Sequence, residues 1–381
     1  MVKLGDVCSF ISGGTPSKKN LDFYGGDIPW VTGADLSTDG WIHPRHFITT
    51  EAVARSAASV VEAGTVLLVT RTAVGKVVVA DRPLAFSQDV TALKSAESVD
   101  TRYLVHFLHS QAENLKVQSR GATIKGVTRD VVKNLQLRLP ELEEQRRIAA
   151  ILDKADEVRA KRQQMLDHLD TLPQAIFHDM FANAEMVATL GELAVVSSGI
   201  TKGRKSTSEL VEVPYLAVSN VQAGHLKLDV VKTIAASEME IQRYMLREGD
   251  VVLTEGGDPD KLGRGTVWRS QIPVCIHQNH VFRVRFQDDS RILPDFFAAF
   301  LDSPDCRKYF LRSAKQTTGI ASINMTQLRG LPVAVPEPSE QKLFVRRIAL
   351  VNEYQNLVQQ QLSLDSDVFA ALQAKAFRGE L

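Results

Sequence analysis

The sequence predicts an α+β protein in which two similar globular units alternate with two long helices that pair as an antiparallel coiled coil. Three observations carry that expectation: a colinear internal repeat, strand-like runs mixed with short helical segments inside each copy, and apolar residues at helical spacing after each copy. With 381 residues, 44% of them apolar, the chain is long enough to give each unit its own core.

The repeat is read in order. Leu4-Gly5-Asp6 leads to Ser12-Gly13-Gly14-Thr15-Pro16-Ser17-Lys18, and Leu190-Gly191-Glu192 leads to Ser198-Gly199-Ile200-Thr201-Lys202-Gly203. Ile28-Pro29-Trp30-Val31 corresponds to Val213-Pro214-Tyr215-Leu216, and Glu62-Ala63-Gly64-Thr65-Val66-Leu67-Leu68 to Glu248-Gly249-Asp250-Val251-Val252-Leu253. Ser87-Gln88-Asp89-Val90 resembles His277-Gln278-Asn279-His280-Val281. One shared string could be chance, whereas a colinear series points to duplication. Within each copy, Val66 to Val69 and Lys76 to Val79 read as strands around an Arg71–Gly75 connection, with Val251 to Thr254 and Thr266 to Trp268 as the counterparts. Arg102 to Ser110 and Pro294 to Ser303 carry one apolar face each and read as short helices.

The strings LPELEEQ and VPEPSEQ each end a copy and open a long helix, with Glu141 or Ser339 as the N-cap. From Ile148 the apolar steps run through Ile151, Ala155, Val158, Arg162, Met165, Leu169, Leu172 and Ile176. The second series is Phe344, Ile348, Val351, Gln355, Val358, Leu362, Asp365, Phe369 and Leu372. Each seam is narrow and marginal alone, so pairing the helices buries both; seven acidic and six basic residues between Glu141 and Asp167 leave the other faces solvated. The expected domains are 1–140, a first globular domain; 141–183, a central helix; 184–336, a second globular domain; and 337–381, a C-terminal helix.

Lysines and arginines number 45 and aspartates and glutamates 45, so no net charge steers the chain to a polyanion and any nucleic-acid contact must be local. Cys8, Cys275 and Cys306 stand far apart, which argues against a thiolate metal site and fits a reducing compartment. There is neither a signal-peptide pattern after Met1 nor an apolar run of about 18 residues, so a cytoplasmic protein without membrane attachment is expected. Catalytic patterns fail: no phosphate-binding Gly-x-x-x-x-Gly-Lys-Ser/Thr string occurs. Asp27-Ile28-Pro29-Trp30 lacks the paired proline of an adenine methyltransferase, and Asp258-Pro259-Asp260-Lys261 lacks the further ligands of a metal nuclease. His43 with His46 and His106 with His109 have no third and fourth ligand nearby in the sequence. No catalytic or metal residue is assigned.

What remains is a set of loops whose side chains suit phosphate contact and base-edge reading. In the first copy these are Thr15, Ser17, Lys18, Lys19, Arg71, Thr72, Lys76, Arg120 and Lys125; in the second, Lys202, Arg204, Lys205, Lys261, Arg264, Lys315 and Gln316. Such residues populate any solvated loop, but here they recur at matched places.

The doubled order of Leu4-Gly5-Asp6, Ser12-Gly13-Gly14-Thr15-Pro16-Ser17, Gly64 and Gly249-Asp250, Pro140 through Gln145, Pro336 through Gln341, and the endings Leu172-Pro173-Gln174-Ala175-Ile176-Phe177 and Ala376-Phe377-Arg378-Gly379-Glu380-Leu381 resembles the specificity (S) subunits of type I restriction-modification systems. The resemblance implies a non-catalytic subunit with two target recognition domains, each reading one half of a bipartite site on double-stranded DNA. It implies helices that set the spacing and dock modification (methyltransferase) subunits, and a role in DNA methylation and defence against foreign DNA. No cofactor is expected on this chain: S-adenosylmethionine, ATP and Mg belong to partner subunits, among which a restriction subunit can join. Glu255-Gly256-Gly257-Asp258 stands opposite Arg71-Thr72-Ala73-Val74 and departs from a purely basic surface. Two alternatives are a coiled-coil scaffold that binds other proteins and a self-contained DNA methyltransferase or nuclease.

Overall fold

A computed structural model describes residues 1–381 apart from 38–39, 120–125, 204–208, 259–261, 288–290 and 318–319, and describes only the backbone of 315–317 and 320. The chain forms two compact units, residues 1–163 with 360–381 and residues 164–359. Each long helix is therefore shared between the units.

In the first unit an antiparallel sheet has the order Cys8–Ser12, Val90–Ser95, Val66–Val69, Val77–Val79. Every side chain of Val66–Val69 is buried, because alternate residues serve different layers. Val66 and Leu68 pack into a cluster with Tyr103, Leu104 and Ile148, while Leu67 and Val69 pack with Val31, Phe86 and Val90. A second sheet, in the order His46–Ile48, Tyr24–Val31, Leu84–Phe86, Val60–Val61, closes that second layer. Trp30 is buried in it and donates its indole N–H to Gly14 O at 2.9 Å. Thr101–Ser110 is an amphipathic helix whose N-cap, Asp100, accepts from the N–H groups of Arg102 and Tyr103.

The second unit repeats this frame: Ala194–Ser198, Val281–Phe286, Val251–Thr254 and Gly265–Val267 form the antiparallel sheet, and Lys232–Ala236, Val211–Leu216 and Ile276–His277 the other. The match extends to single hydrogen bonds. Gly14 N donates to Phe86 O and Ile200 N to His277 O; Ser87 N donates to Val31 O and Gln278 N to Leu216 O. The paired glycines have the same cause, since a Cβ at Gly13 would strike Phe86 O and one at Gly199 would strike His277 O. Gly64 and Gly249, which open equivalent strands, both sit at positive φ, +86° and +84°.

The twice-written junction has a specific task. Gln145 is fully buried; its side-chain oxygen accepts from Asp100 N at 2.9 Å and its amide donates to Ser98 O and Pro140 O at 2.9 and 2.8 Å. Gln341 does the same with Leu293 N, Arg291 O and Pro336 O at 2.8, 2.7 and 2.8 Å. Each glutamine satisfies three main-chain groups, two in the loop that leads into the unit's short helix and one just ahead of the long helix, and so ties the two helix starts together. One N-cap expectation is corrected: the second long helix, Pro338–Arg378, already includes Ser339, with proline at the first turn where its missing N–H costs nothing. Glu337 precedes it, its N–H donating to the Glu340 carboxylate at 3.1 Å.

The two long helices, Leu142–Phe181 and Pro338–Arg378, run antiparallel within each unit. In the first unit Arg147 donates to Leu381 O, the Arg159 guanidinium lies 4.7 Å from the Phe369 ring centroid, and Arg162 pairs with Asp365. In the second, Gln355 donates to Asp170 at 2.8 Å, and Phe344 lies 5.6 Å from both Phe177 and Phe181. The predicted seam of the second helix is buried or half-buried at every position. On the first helix the predicted Ile148 is buried and Ile151, Ala155, Arg162, Leu169 and Ile176 are half-buried, but Val158, Met165 and Leu172 are exposed, and Leu152 and Leu166 are buried beside the predicted series.

Candidate nucleic-acid interface

In the first unit the turn at residues 87–89 gathers two of the candidate loops. Thr15 Oγ1 donates to Gln88 Oε1 at 2.5 Å, and Asp89 O accepts from the N–H groups of Thr70 and Arg71 at 2.8 and 3.3 Å. Ser17, Lys18, Lys19, Arg71 and Thr72 are exposed around it. Thr72 adopts φ +65°, a left-handed conformation uncommon for threonine, with its hydroxyl on Arg71 O at 2.5 Å. Lys76 has a different job: it is half-buried and its ammonium donates to Leu36 O at 3.0 Å, fastening a neighbouring segment.

In the second unit Ser198 Oγ donates to Asn279 O at 2.9 Å and Glu255 N to His280 O at 3.0 Å, the same arrangement around residues 278–280. Lys202 is exposed, with its ammonium 4.9 Å from the Tyr215 ring centroid. Arg264 is half-buried and equivalent to Lys76, because its carbonyl accepts from Thr254 N as that of Lys76 accepts from Val69 N. Lys315 and Gln316 lie in the Lys315–Thr317 strand. Arg120, Lys125, Arg204, Arg204's neighbour Lys205, and Lys261, together with Pro259 and Asp260, lie outside the described residues.

The expected register of the acidic departure is off by one residue. Main-chain bonding equates Thr70 with Glu255, since each donates to the 87–89 or 278–280 turn and accepts from Val127 or Ile323. Arg71 therefore corresponds to Gly256. The Glu255 carboxylate is answered by His280 Nδ1 at 2.6 Å, so it is not an isolated acid on this surface.

A hairpin that the sequence reading missed stands beside these loops in both units. Leu36 and Ile42 form an antiparallel bridge, and Ser37 N donates to Trp41 O at 3.0 Å; Val221 and Leu226 do likewise, and Gln222 N donates to His225 O at 3.1 Å. The bases match as well. Asp35 accepts from Thr32 N and Asn220 from Ala217 N, at 2.7 and 2.9 Å. Burial works to raise the Asp35 pKa, but hydrogen bonds from Arg45 and Thr32 outweigh it and hold the carboxyl below its ordinary value. In the second unit the hairpin borders a cavity of about 420 Å³ lined by Ser219, Asn220, Gln222, Lys227, Lys232 and Arg264. Three cations converge there with amide and hydroxyl groups, a composition suited to phosphate and base edges. The sequence signal for the hairpin was slight, a lone Gly40-Trp41 step in one copy and Ala223-Gly224 in the other.

The groups with metal-binding potential do not gather into a cluster of three or more among the described residues. His106 Nε2 meets Asp153 at 2.7 Å, beside Arg102. Cys8, Cys275 and Cys306 are buried free thiols, and burial pushes the first two up to about 12. Among the described residues no helix is long and apolar enough to cross a membrane.

Residues 1–168 match the family model described as Type I restriction modification DNA specificity domain. The specificity subunit of the type I restriction enzyme EcoKI of Escherichia coli (strain K12) is 25% identical over 319 residues, covering 76% of this chain and 67% of that protein. Residues 1–168 thus carry a type I specificity domain, and the chain as a whole is similar to the type I specificity subunits. A further relative, the MjaIX specificity subunit of Methanocaldococcus jannaschii, is 24% identical over 291 residues, covering 69% of this chain and 67% of that protein. Among solved structures, a chain from work on complex assembly and conformational transition of the type I R-M system matches with a TM-score of 0.68 at 18% identity, over 100% of this chain and 97% of that one. That likeness carries the fold. The family match spans the first globular part and enters the first long helix, so the likeness of the second unit rests on the internal repeat and on the relatives.

Proposed function

We propose that this chain is a non-catalytic reader of double-stranded DNA, in which each unit addresses one half of a bipartite site. The observation that carries this is the pairing of one hydrogen-bonded frame with two different sets of outward side chains: Thr15, Lys18, Arg71 and Trp41 in one copy, Lys202, Lys227, Arg264 and His225 in the other. A duplicated frame with diverged loops suits two unlike half-sites.

The long helices set the gap and dock modification subunits. Leu343, Leu350 and Leu357 recur at heptad spacing on the second long helix, outside the seam and exposed, and Met165 and Tyr354 touch on that flank in the second unit. An apolar stripe of this kind fits other helices. S-adenosylmethionine, ATP and Mg are then held by partner subunits, a restriction subunit being one that can join, and the complex works in the cytoplasm. With no net charge, the isolated chain binds DNA weakly.

The test is genome-wide adenine methylation by single-molecule sequencing, with the modification partner expressed with and without this chain. A two-part motif with a fixed gap that depends on the chain supports the reading. Charge reversal at Lys18, Arg71 and Lys202 separates it from a scaffold role: the motif is lost under the DNA reading, whereas a scaffold keeps its function.

A further inference from the structure

We propose that Trp41 and His225, the residues that close the turns of the two matched hairpins and so stand beside their tips, are specificity-determining contacts, apolar in one half-site and hydrogen-bonding in the other. This rests on the DNA-reading function above and goes further by naming the position and the chemistry.

The two residues are equivalent by main-chain bonding. Each contributes the carbonyl that closes its hairpin, accepting from Ser37 N or Gln222 N. The hairpins are therefore built by backbone and by their bases, Asp35 and Asn220, and the side chains of Trp41 and His225 are left free for another task. The Trp41 indole is 65% exposed and makes no hydrogen bond or ring contact among the described residues. His225 is exposed and uses only Nδ1, which lies 3.1 Å from Ala223 O.

Both hairpins are tied to the candidate DNA loops. Lys76 holds Leu36 O at 3.0 Å in the first unit, and Gly224 N donates to Gly265 O at 3.1 Å in the second, next to Arg264. The second hairpin also stands between the cavity that contains Lys227, Lys232 and Arg264 and another of about 230 Å³ that reaches Arg307. Cations that neutralise phosphates would thus bring each tip against the bases. An indole there packs on a thymine methyl or wedges at a base step, without a strong hydrogen-bond code. An imidazole offers a donor or an acceptor to a base edge.

The experiment uses the assembled complex of this chain with its modification subunits. Trp41→Ala, Trp41→Phe and His225→Ala are each scored for the methylated motif, for KM toward a DNA duplex carrying it, and for complex assembly. The expected result is that Trp41→Ala relaxes one half of the motif and raises KM about tenfold, Trp41→Phe largely restores it, His225→Ala relaxes the other half, and assembly is intact. Unchanged motif and KM in both alanine variants would overturn the proposal, as would relaxation of the same half by both. Loss of assembly instead would make the tips subunit contacts and overturn it too. A wild-type complex that imposes no bipartite motif would strike the underlying DNA reading rather than the role of the tips.

Discussion

His277 of the second unit occupies the place that Phe86 holds in the first: the carbonyl of each accepts from the residue that follows the paired glycine, Ile200 N and Gly14 N. The exchange is part of a larger one. Ile11, Val69 and Ala92, apolar and packed in the same layer as Phe86, become Ser197, Thr254 and Arg283. His277 donates through Nδ1 to Val281 O at 2.7 Å, while its Nε2, the Nε of Arg283 and the hydroxyls of Ser197 and Thr254 are enclosed without a hydrogen-bond partner among the described residues. The second unit has exchanged part of a hydrophobic layer for a polar one.

That exchange makes the second unit acid-sensitive. Burial, the largest influence, pushes the His277 pKa down from 6.5 to about 4. The folded state thus keeps the imidazole neutral in a range where the unfolded chain takes up a proton. Stability is full above about pH 6.5 and falls as pH drops toward about 4, by up to about 3 kcal/mol. Hydrogen exchange read by mass spectrometry should show Val281–Phe286 losing protection between pH 7 and 5 more steeply than the equivalent Val90–Ser95. His277→Phe should flatten the difference; equal slopes for both strands in the wild type would refute it.

The buried glutamines should be costly to remove. Gln145→Ala leaves Asp100 N, Ser98 O and Pro140 O without their partner, and Gln341→Ala does the same to Leu293 N, Arg291 O and Pro336 O. A loss of about 2–4 kcal/mol is expected for each in urea unfolding. A loss below about 0.5 kcal/mol would show that the junction does not depend on the clamp.

Seam and flank of the second long helix should separate cleanly. Phe344 sits within the aromatic cluster of Phe177, Phe181 and Phe296, so Phe344→Ala should cost about 3–5 kcal/mol. Leu350→Ala, on the exposed flank, should stay within about 0.5 kcal/mol. Comparable losses for the two would mean that the flank is as load-carrying as the seam.

Docking can be tested on the same flank. Leu350→Asp with Leu357→Asp should leave unfolding unchanged and abolish co-purification with modification subunits. Normal assembly of the double variant would move the docking face elsewhere.

The duplicated architecture was legible because glycines, prolines and strand runs that shape a backbone are written twice in the same order. The second helix was legible for a similar reason: its seam is apolar at most steps, and its polar breaks find partners, Asp365 with Arg162 and Gln355 with Asp170. The first helix misled at three steps, because Val158, Met165 and Leu172 keep helical spacing on a flank, while the seam also admits Arg159, whose guanidinium covers Phe369. Apolarity marks the faces that a helix needs covered, and pairing with its sister uses only one of them. In the candidate interface, Lys76 looked like any loop cation. Its bond to Leu36 and the hairpin it fastens depend on residues distant in sequence, which no local pattern records.

The uncovered leucines at 343, 350, 357 and 364 also bear on how much of this protein a cell can hold. A stripe of that kind in water promotes clumping of the chain with its own copies, so free molecules are expected to be short-lived. Abundance would then follow that of the partner that covers the stripe, and co-expression should raise the recoverable yield. An unaccompanied reader would be scarce by its own surface chemistry, with no dedicated regulator required.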